Sequence, residues 1–350
     1  MTIEVRRDES LEQPALREAL ARELASRLAA EAVEIRSANR LSGGAIQENW
    51  ALQAQVLGGP HAGAQDWVLR TDAPSAVGVS LDRRQEFAVL QRAVAVGVRA
   101  PRPLLVVEHS EALGRPYFLM QRLGGTAAGH RLTRDLLSVT ESARLLDDLA
   151  QSLARLHTIG PEEAGLDFLL MPNQAPAAEA IAEYRAYLDT LQEPQPVLEW
   201  GLRWCELNMP EPLPLSLIHR DFRTGNYLVE RGRLSGILDW EFAGFGDPRE
   251  DIGWFSARCW RFAAPQHGAG GIGALAQFLD AYRQAGGHPV EPEEVVYWQV
   301  LAHLRWGVIA LQQAQRYLSG REVSLELALT GRLLPDLEIE ILHLTREGQP

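Results

Sequence analysis

The chain has 350 residues, enough for two modest cores, and its 46% hydrophobic and 23% charged content is ordinary for a globular protein. A net charge of −12 argues against a broad nucleic-acid surface, which needs basic residues to displace counterions, and no apolar run approaches the roughly 18 residues of a membrane helix. All 34 basic residues are arginine, which excludes chemistry that requires a lysine, such as the Walker P-loop or a Schiff base.

The N-terminus is charged throughout and lacks the apolar segment of a secretory leader. Cys205 and Cys259 lie outside any CxxC or Cys/His cluster, so a cytoplasmic protein without a cysteine metal site is expected. Leu16, Leu20, Leu24 and Leu28 recur at fourfold spacing and predict an amphipathic helix over 11–30. A strand–turn–strand region follows, with its turn at Leu41-Ser42-Gly43-Gly44 and alternation at Trp50, Leu52, Ala54 and Val56. Further strands are predicted at 67–70, 104–107 and 117–120, and a helix at 82–95. The first ~125 residues therefore read as a small antiparallel sheet crossed by one long helix. Beyond Gly124-Gly125 the pattern turns helical, at 139–156, 176–191, 274–285, 293–318 and 322–345. Only 215–240 interrupts it, with two short apolar segments around a polar loop.

That interruption, LIHRDFRTGNYLVERGRLSGILDWE at 217–241, carries the chemistry. Its loop holds His219, Asp221, Arg223 and Asn226, and a hairpin then delivers Asp239. Phosphoryl transfer needs a carboxylate to orient the attacking hydroxyl and oxygen ligands to hold Mg²⁺ against the phosphates. Asp221 fits the first role, with Arg223 beside it, while Asn226 and Asp239 fit the second. His219 reads as a loop-orienting residue and His157 as a helix C-cap. Asp247 and Asp251 read as braces of the loop and caps of the next helix. Trp254, Trp260, Trp298 and Trp306 fit either a helical core or an acceptor pocket.

The ordered set His219-Arg220-Asp221, Asn226 and Leu238-Asp239-Trp240-Glu241 resembles the aminoglycoside phosphotransferase (choline-kinase-like) family. The branch it most resembles is the kinase-like domain fused to some acyl-CoA dehydrogenases. Arg220 stands where that family commonly has glycine, so the tripeptide itself resembles a protein kinase. Asp239-Trp240-Glu241 in place of D-F-G, and the lack of A-P-E, argue against a protein substrate. The resemblance implies an α+β, protein-kinase-like two-lobe fold. It would divide into a helical extension at 1–34, a nucleotide-binding lobe at 35–123 and a helical lobe at 124–350.

It also implies Mg²⁺ with ATP or GTP as donor, and a small-molecule hydroxyl as acceptor, either an aminoglycoside or a hydroxyacyl or CoA-linked compound. No nucleic-acid or membrane partner is expected. Ser42, Gly43, Gly44 and Asn49 would belong to the loop that covers the nucleotide. Arg70 would replace the phosphate-binding lysine, with Glu86 as its partner, and Gln121 to Leu123 would form the hinge that meets the purine. The alternative is a nucleotide-binding pseudokinase, for which the missing lysine speaks.

Overall fold

The computed structural model describes residues 11–41, 47–72, 80–134, 137–320, 322 and 324–347. The chain divides into two compact units. The first comprises residues 1–95, 99–124 and the tripeptide Trp240–Phe242, and the second comprises 96–98, 125–239 and 243–350.

The first unit begins with α1 (Pro14–Arg27), which stops just before Ala29, a residue with φ +51°. Five strands follow, β1 (Ala32–Arg40), β2 (Gln47–Leu57), β3 (Gly63–Asp72), β4 (Pro103–Val107) and β5 (Tyr117–Gln121), with α2 (Arg83–Ala95) inserted after β3. They form one antiparallel sheet in the order β1-β2-β3-β5-β4. Strand alternation sends Trp50, Leu52, Ala54, Val56, Trp67 and Leu69 to one face, where they join Leu20, Leu24 and Leu28 of α1 in a single core. Register places Arg70 opposite Asn49 on one side and Phe118 on the other. Phe118 meets Phe87 of α2 edge to face at 6.0 Å, so Arg70 shares the face of the sheet that α2 covers.

The second unit is built on helices. After α3 (Gly129–Arg134), α4 (Val139–Leu156) opens with a capping box between Ser138 and Glu141 and buries Leu145, Leu146, Leu149, Leu153 and Leu156. Two helices follow, α5 (Pro176–Leu188) and α6 (Pro196–Leu207). Next come β6 (Ser216–Ile218), the hairpin of β7 (Tyr227–Glu230) and β8 (Arg233–Ile237), and β9 (Gly244–Gly246), which pairs antiparallel with β6. The remaining helices are α7 (Arg249–Ser256), α8 (Leu275–Gln284), α9 (Pro292–Leu318), α10 (Leu325–Gly331) and α11 (Leu334–Glu347). α9 is the spine, packing against α5, α6, α7, α10 and α11. The single helix expected over 322–345 is in fact two. Pro335 has no N–H to continue the ladder and is tolerated only in a first turn, so a new helix begins at Leu334.

Candidate active site

In the first unit the strand-end arginine sits in a buried polar cluster. Arg70 is 3% exposed and Glu86 2%. Its Nε lies 2.9 Å from Glu86 Oε1 and donates to Oε2 at 3.1 Å, and Nη1 reaches Asn49 Oδ1 at 3.4 Å. Glu86 also pairs with Arg83, whose Nη2 donates to the Leu81 carbonyl at 2.9 Å. A further acidic residue joins them. Glu241 places Oε2 3.7 Å from Arg70 Nη2 and accepts a hydrogen bond from Gln47 Nε2 at 2.9 Å. Gln121 closes β5 and Leu123 follows it; the N–H groups of Gln121 and Arg122 are taken by the carbonyls of Arg102 and Asp66. Ser42, Gly43 and Gly44 lie outside the described residues.

In the second unit β6 feeds the polar loop, and Asp251 braces the backbone of that loop. Asp251, fully buried on α7, accepts from the backbone N–H of His219 at 2.7 Å and of Arg220 at 2.8 Å, and lies 3.2 Å from His157 Nε2. Burial pushes its carboxyl upward, but the His157 bond and charge, the His219 charge and the backbone N–H outweigh it and hold the carboxyl below the usual range. His157 thus occupies the C-cap of α4 while its ring works elsewhere, between Asp251 and the Tyr282 hydroxyl at 2.7 Å. His219 reaches the Leu238 carbonyl at 2.8 Å and receives the Asp221 N–H at 3.2 Å, the orienting contact expected of it.

These braces bring three of the expected residues together. Asp221 Oδ1 accepts from Trp254 Nε1 at 2.8 Å and Arg223 Nε at 3.1 Å, while Asn226 Nδ2 donates to Asp221 Oδ2. The Leu238 N–H donates to the Asn226 carbonyl at 2.8 Å, which pins the residue before Asp239 beside Asn226. The Asn226 amide nitrogen is turned to Asp221, so the hard oxygen donors these residues could offer a metal are the Asn226 Oδ1 and the Asp239 carboxylate. This donor set suits Mg²⁺, which favours a few oxygens alongside phosphate and water. Arg220 and Asp239 both have left-handed backbones, φ +61° and +60°. Such conformations cost a non-glycine residue about 1–3 kcal/mol and cluster at functional sites.

Beside Asp221 lies an aromatic and cationic surround. Trp254, Trp260 and Trp306 pack with centroids 5.0–6.3 Å apart. The Arg223 guanidinium stacks 4.3 Å over Trp260, and that of Arg305 4.6 Å over Trp254. Arg258 shares a short 3₁₀ turn with Trp260, and burial together with the Arg258 charge lowers the nearby Arg261 guanidinium below its ordinary value.

The sequence profile of the phosphotransferase enzyme family (APH) matches residues 37–295, more than half of the chain. The chain belongs to this family. Among curated proteins, this phosphotransferase-family chain is similar to acyl-CoA dehydrogenase family member 11 of Rattus norvegicus, at 25% identity over 81% of the chain. The Homo sapiens protein is 24% identical over the same share. The chain spans only 38% of the length of either relative.

Its fold is that of solved phosphotransferases. A protein of Ralstonia eutropha JMP134 classed with the aminoglycoside phosphotransferases superposes with a TM-score of 0.76 at 19% identity, covering 95% of this chain and 99% of that one. A thermostable mutant of aminoglycoside phosphotransferase APH(4)-Ia, in complex with ADP and hygromycin B, gives 0.61 at 18% identity over 95% and 99% of the two chains. A macrolide 2′-phosphotransferase of Brachybacterium faecium gives 0.59 at 21% identity over 91% and 98%. The kinase-like fold class is thereby established.

Proposed function

We propose that this chain transfers the γ-phosphate of a magnesium–nucleoside triphosphate to a hydroxyl of a small molecule. The observation that carries the proposal is the bond from the Asn226 amide to Asp221, together with the backbone bond that holds Leu238, the residue before Asp239, on the Asn226 carbonyl. Asn226 and Asp239 would hold Mg²⁺, which supplies charge neutralisation on the phosphates when bound. Arg70 would bind phosphate oxygens, a role its planar fork suits. The carbonyls of 121–123 and the Leu123 N–H would meet the base, since the Gln121 and Arg122 N–H groups already have partners.

Asp221 would orient the acceptor hydroxyl and take its proton as the new O–P bond forms and the bond to the nucleoside diphosphate breaks. Donors on both carboxylate oxygens fix its direction, so positioning contributes more than basicity. The acceptor would contact the surround of Trp254, Trp260, Trp306, Arg223 and Arg258. Flat rings and stacked guanidiniums favour an acceptor with acyl or anionic groups over a polycation such as an aminoglycoside. Similarity to acyl-CoA dehydrogenase family members points the same way, to hydroxylated acyl compounds, free or CoA-linked.

The test is release of ADP from ATP across a panel of hydroxy acids, hydroxyacyl thioesters and aminoglycosides. Acceptor-dependent release by the wild type, lost in Asp221→Asn with nucleotide affinity retained, supports the reading. Asp221→Asn at near wild-type rate on the same acceptor overturns the role of Asp221. Tight Mg-nucleotide binding without release on any acceptor would favour a nucleotide-sensing pseudokinase.

A further inference from the structure

We infer that Arg223 reads an acyl oxygen of the acceptor, a carboxylate or thioester carbonyl a few bonds from the reacting hydroxyl; the inference rests on the phosphotransferase reading and narrows its acceptor. Asp221 shows where that hydroxyl can enter. An ionised carboxylate offers two lone pairs on each oxygen. Oδ1 already accepts from Trp254 Nε1 at 2.8 Å and from Arg223 Nε at 3.1 Å. Among the described residues, Oδ2 accepts only from the Asn226 amide. The open lone pair of Asp221 is therefore on Oδ2, and the acceptor hydroxyl donates there.

Arg223 lies along the other oxygen in a fixed pose. Its guanidinium stacks 4.3 Å over the Trp260 ring, and Nη1 donates to the Thr224 carbonyl at 3.4 Å. Gly225 makes room for this pose, since a Cβ there would lie 2.8 Å from Nη1. Nη2 shares the Nε edge of the planar fork, where the two N–H bonds run parallel. Nε is taken by Asp221, whereas Nη2 has no partner among the described residues, and the side chain is 25% exposed. An oxygen bound to Nη2 would therefore sit beside Asp221 Oδ1, one carboxylate width from a hydroxyl on Oδ2. A hydroxyacyl group carries an acceptor oxygen and a hydroxyl at that kind of separation. A polycation would instead bring like charge against the guanidinium.

The experiment follows release of nucleoside diphosphate from Mg-ATP or Mg-GTP with matched acceptors. They are hydroxyoctanoates with the hydroxyl on the second, third or fourth carbon, their pantetheine thioesters, the corresponding secondary octanols, and an aminoglycoside. The octanols keep the hydroxyl and lack the acyl group, so the acyl-to-octanol ratio of kcat/KM isolates the Nη2 contact. Wild type should favour the acyl acceptors, and the acyl form with the larger ratio, free acid or thioester, is the one Arg223 meets. In Arg223→Ala, kcat should fall on every acceptor, because Asp221 loses a donor. The ratio should shrink about tenfold besides, the scale of one hydrogen bond from a charged group. Arg223→Gln, neutral and closer in bulk, should shrink the ratio as well, and it serves as the reading where the alanine variant does not fold. A wild-type ratio near one, or a ratio in the variants within twofold of wild type, would overturn the inference and leave Arg223 only orienting Asp221. Release with the aminoglycoside alone would also overturn it, with the phosphotransferase reading intact. No release on any acceptor would count against both.

Discussion

Asp251 and Trp254 lie three residues apart on α7 and act on the same loop in different ways. Asp251 fixes its backbone, and Asp251→Asn replaces one acceptor with a donor that faces the N–H groups of His219 and Arg220. Leaving buried donors unmet should cost about 2–4 kcal/mol, readable as a lower urea midpoint with unchanged slope. Trp254→Phe keeps the packing but removes the 2.8 Å bond to Asp221 Oδ1. Turnover should fall several-fold with nucleotide affinity unchanged, because only the direction of the carboxylate is loosened; an unchanged turnover would show that Trp254 does not position Asp221.

These residues also mark how far the sequence can be read. Asp251 was legible as a brace because Gly246-Asp247-Pro248-Arg249-Glu250-Asp251 directly follows the loop. Trp254 was not, since helical spacing reports which face a ring lies on and says nothing of where its N–H points. Glu241 was visible only as a letter of the motif. Its partner Arg70 is remote in sequence, on β3, whereas Glu241 lies in the turn between β8 and β9, and no local pattern links them.

Elements with long periodic faces were legible almost to their ends. The leucine stripe of α4 predicts 139–156, which is the span the helix occupies, because a capping box fixes its start. α6 went unread because Pro194 and Pro196 look like loop punctuation, although Pro196 occupies the first helical turn, where its missing N–H costs nothing. The contact of α7 with α9 depends on a side chain that is absent. A Cβ on Gly253 would lie 2.4 Å from Trp298 Cβ and 2.7 Å from the Trp298 carbonyl. Gly253→Ala must therefore push the two helices apart, at about 1–3 kcal/mol, despite alanine's better helix propensity. A thermal midpoint equal to wild type would contradict this packing.

For the whole molecule, the shifts of Glu250 and Asp251 predict a pH dependence of stability with two limbs of opposite sign. Burial raises the Glu250 carboxyl to about 7, against the lowering charges of Arg220 and Arg305. The native state then binds that proton more tightly than the unfolded chain, so the contribution is full below the ordinary carboxylate range and is lost as pH rises through 7. Asp251 is held low, so its contribution is full above its unfolded value and is lost as pH falls through its native value. Stability should decline between about pH 5 and 7 in wild type, and Glu250→Gln should flatten that limb while leaving the acid limb in place. Identical profiles for the two proteins would mean that Glu250 does not titrate with folding.

At the same scale, the absence of lysine was the most informative compositional fact. It excludes lysine-dependent mechanisms, and the buried cluster around Arg70 gives an arginine on β3 a structural context. Composition could not reveal the charge surround of Asp221, because a −12 chain can still gather arginines locally.

A magnesium–nucleotide site that depends on Asp239 can be tested by thermal shift of wild type and Asp239→Ala with Mg-ATP, Mg-GTP and no nucleotide. A ligand bound only by the native state at 100-fold over its dissociation constant stabilises by about 2.7 kcal/mol. A shift of that order is expected in the wild type with at least one nucleotide, and its loss in Asp239→Ala. No shift in the wild type with either nucleotide, or an equal shift in the variant, would contradict it.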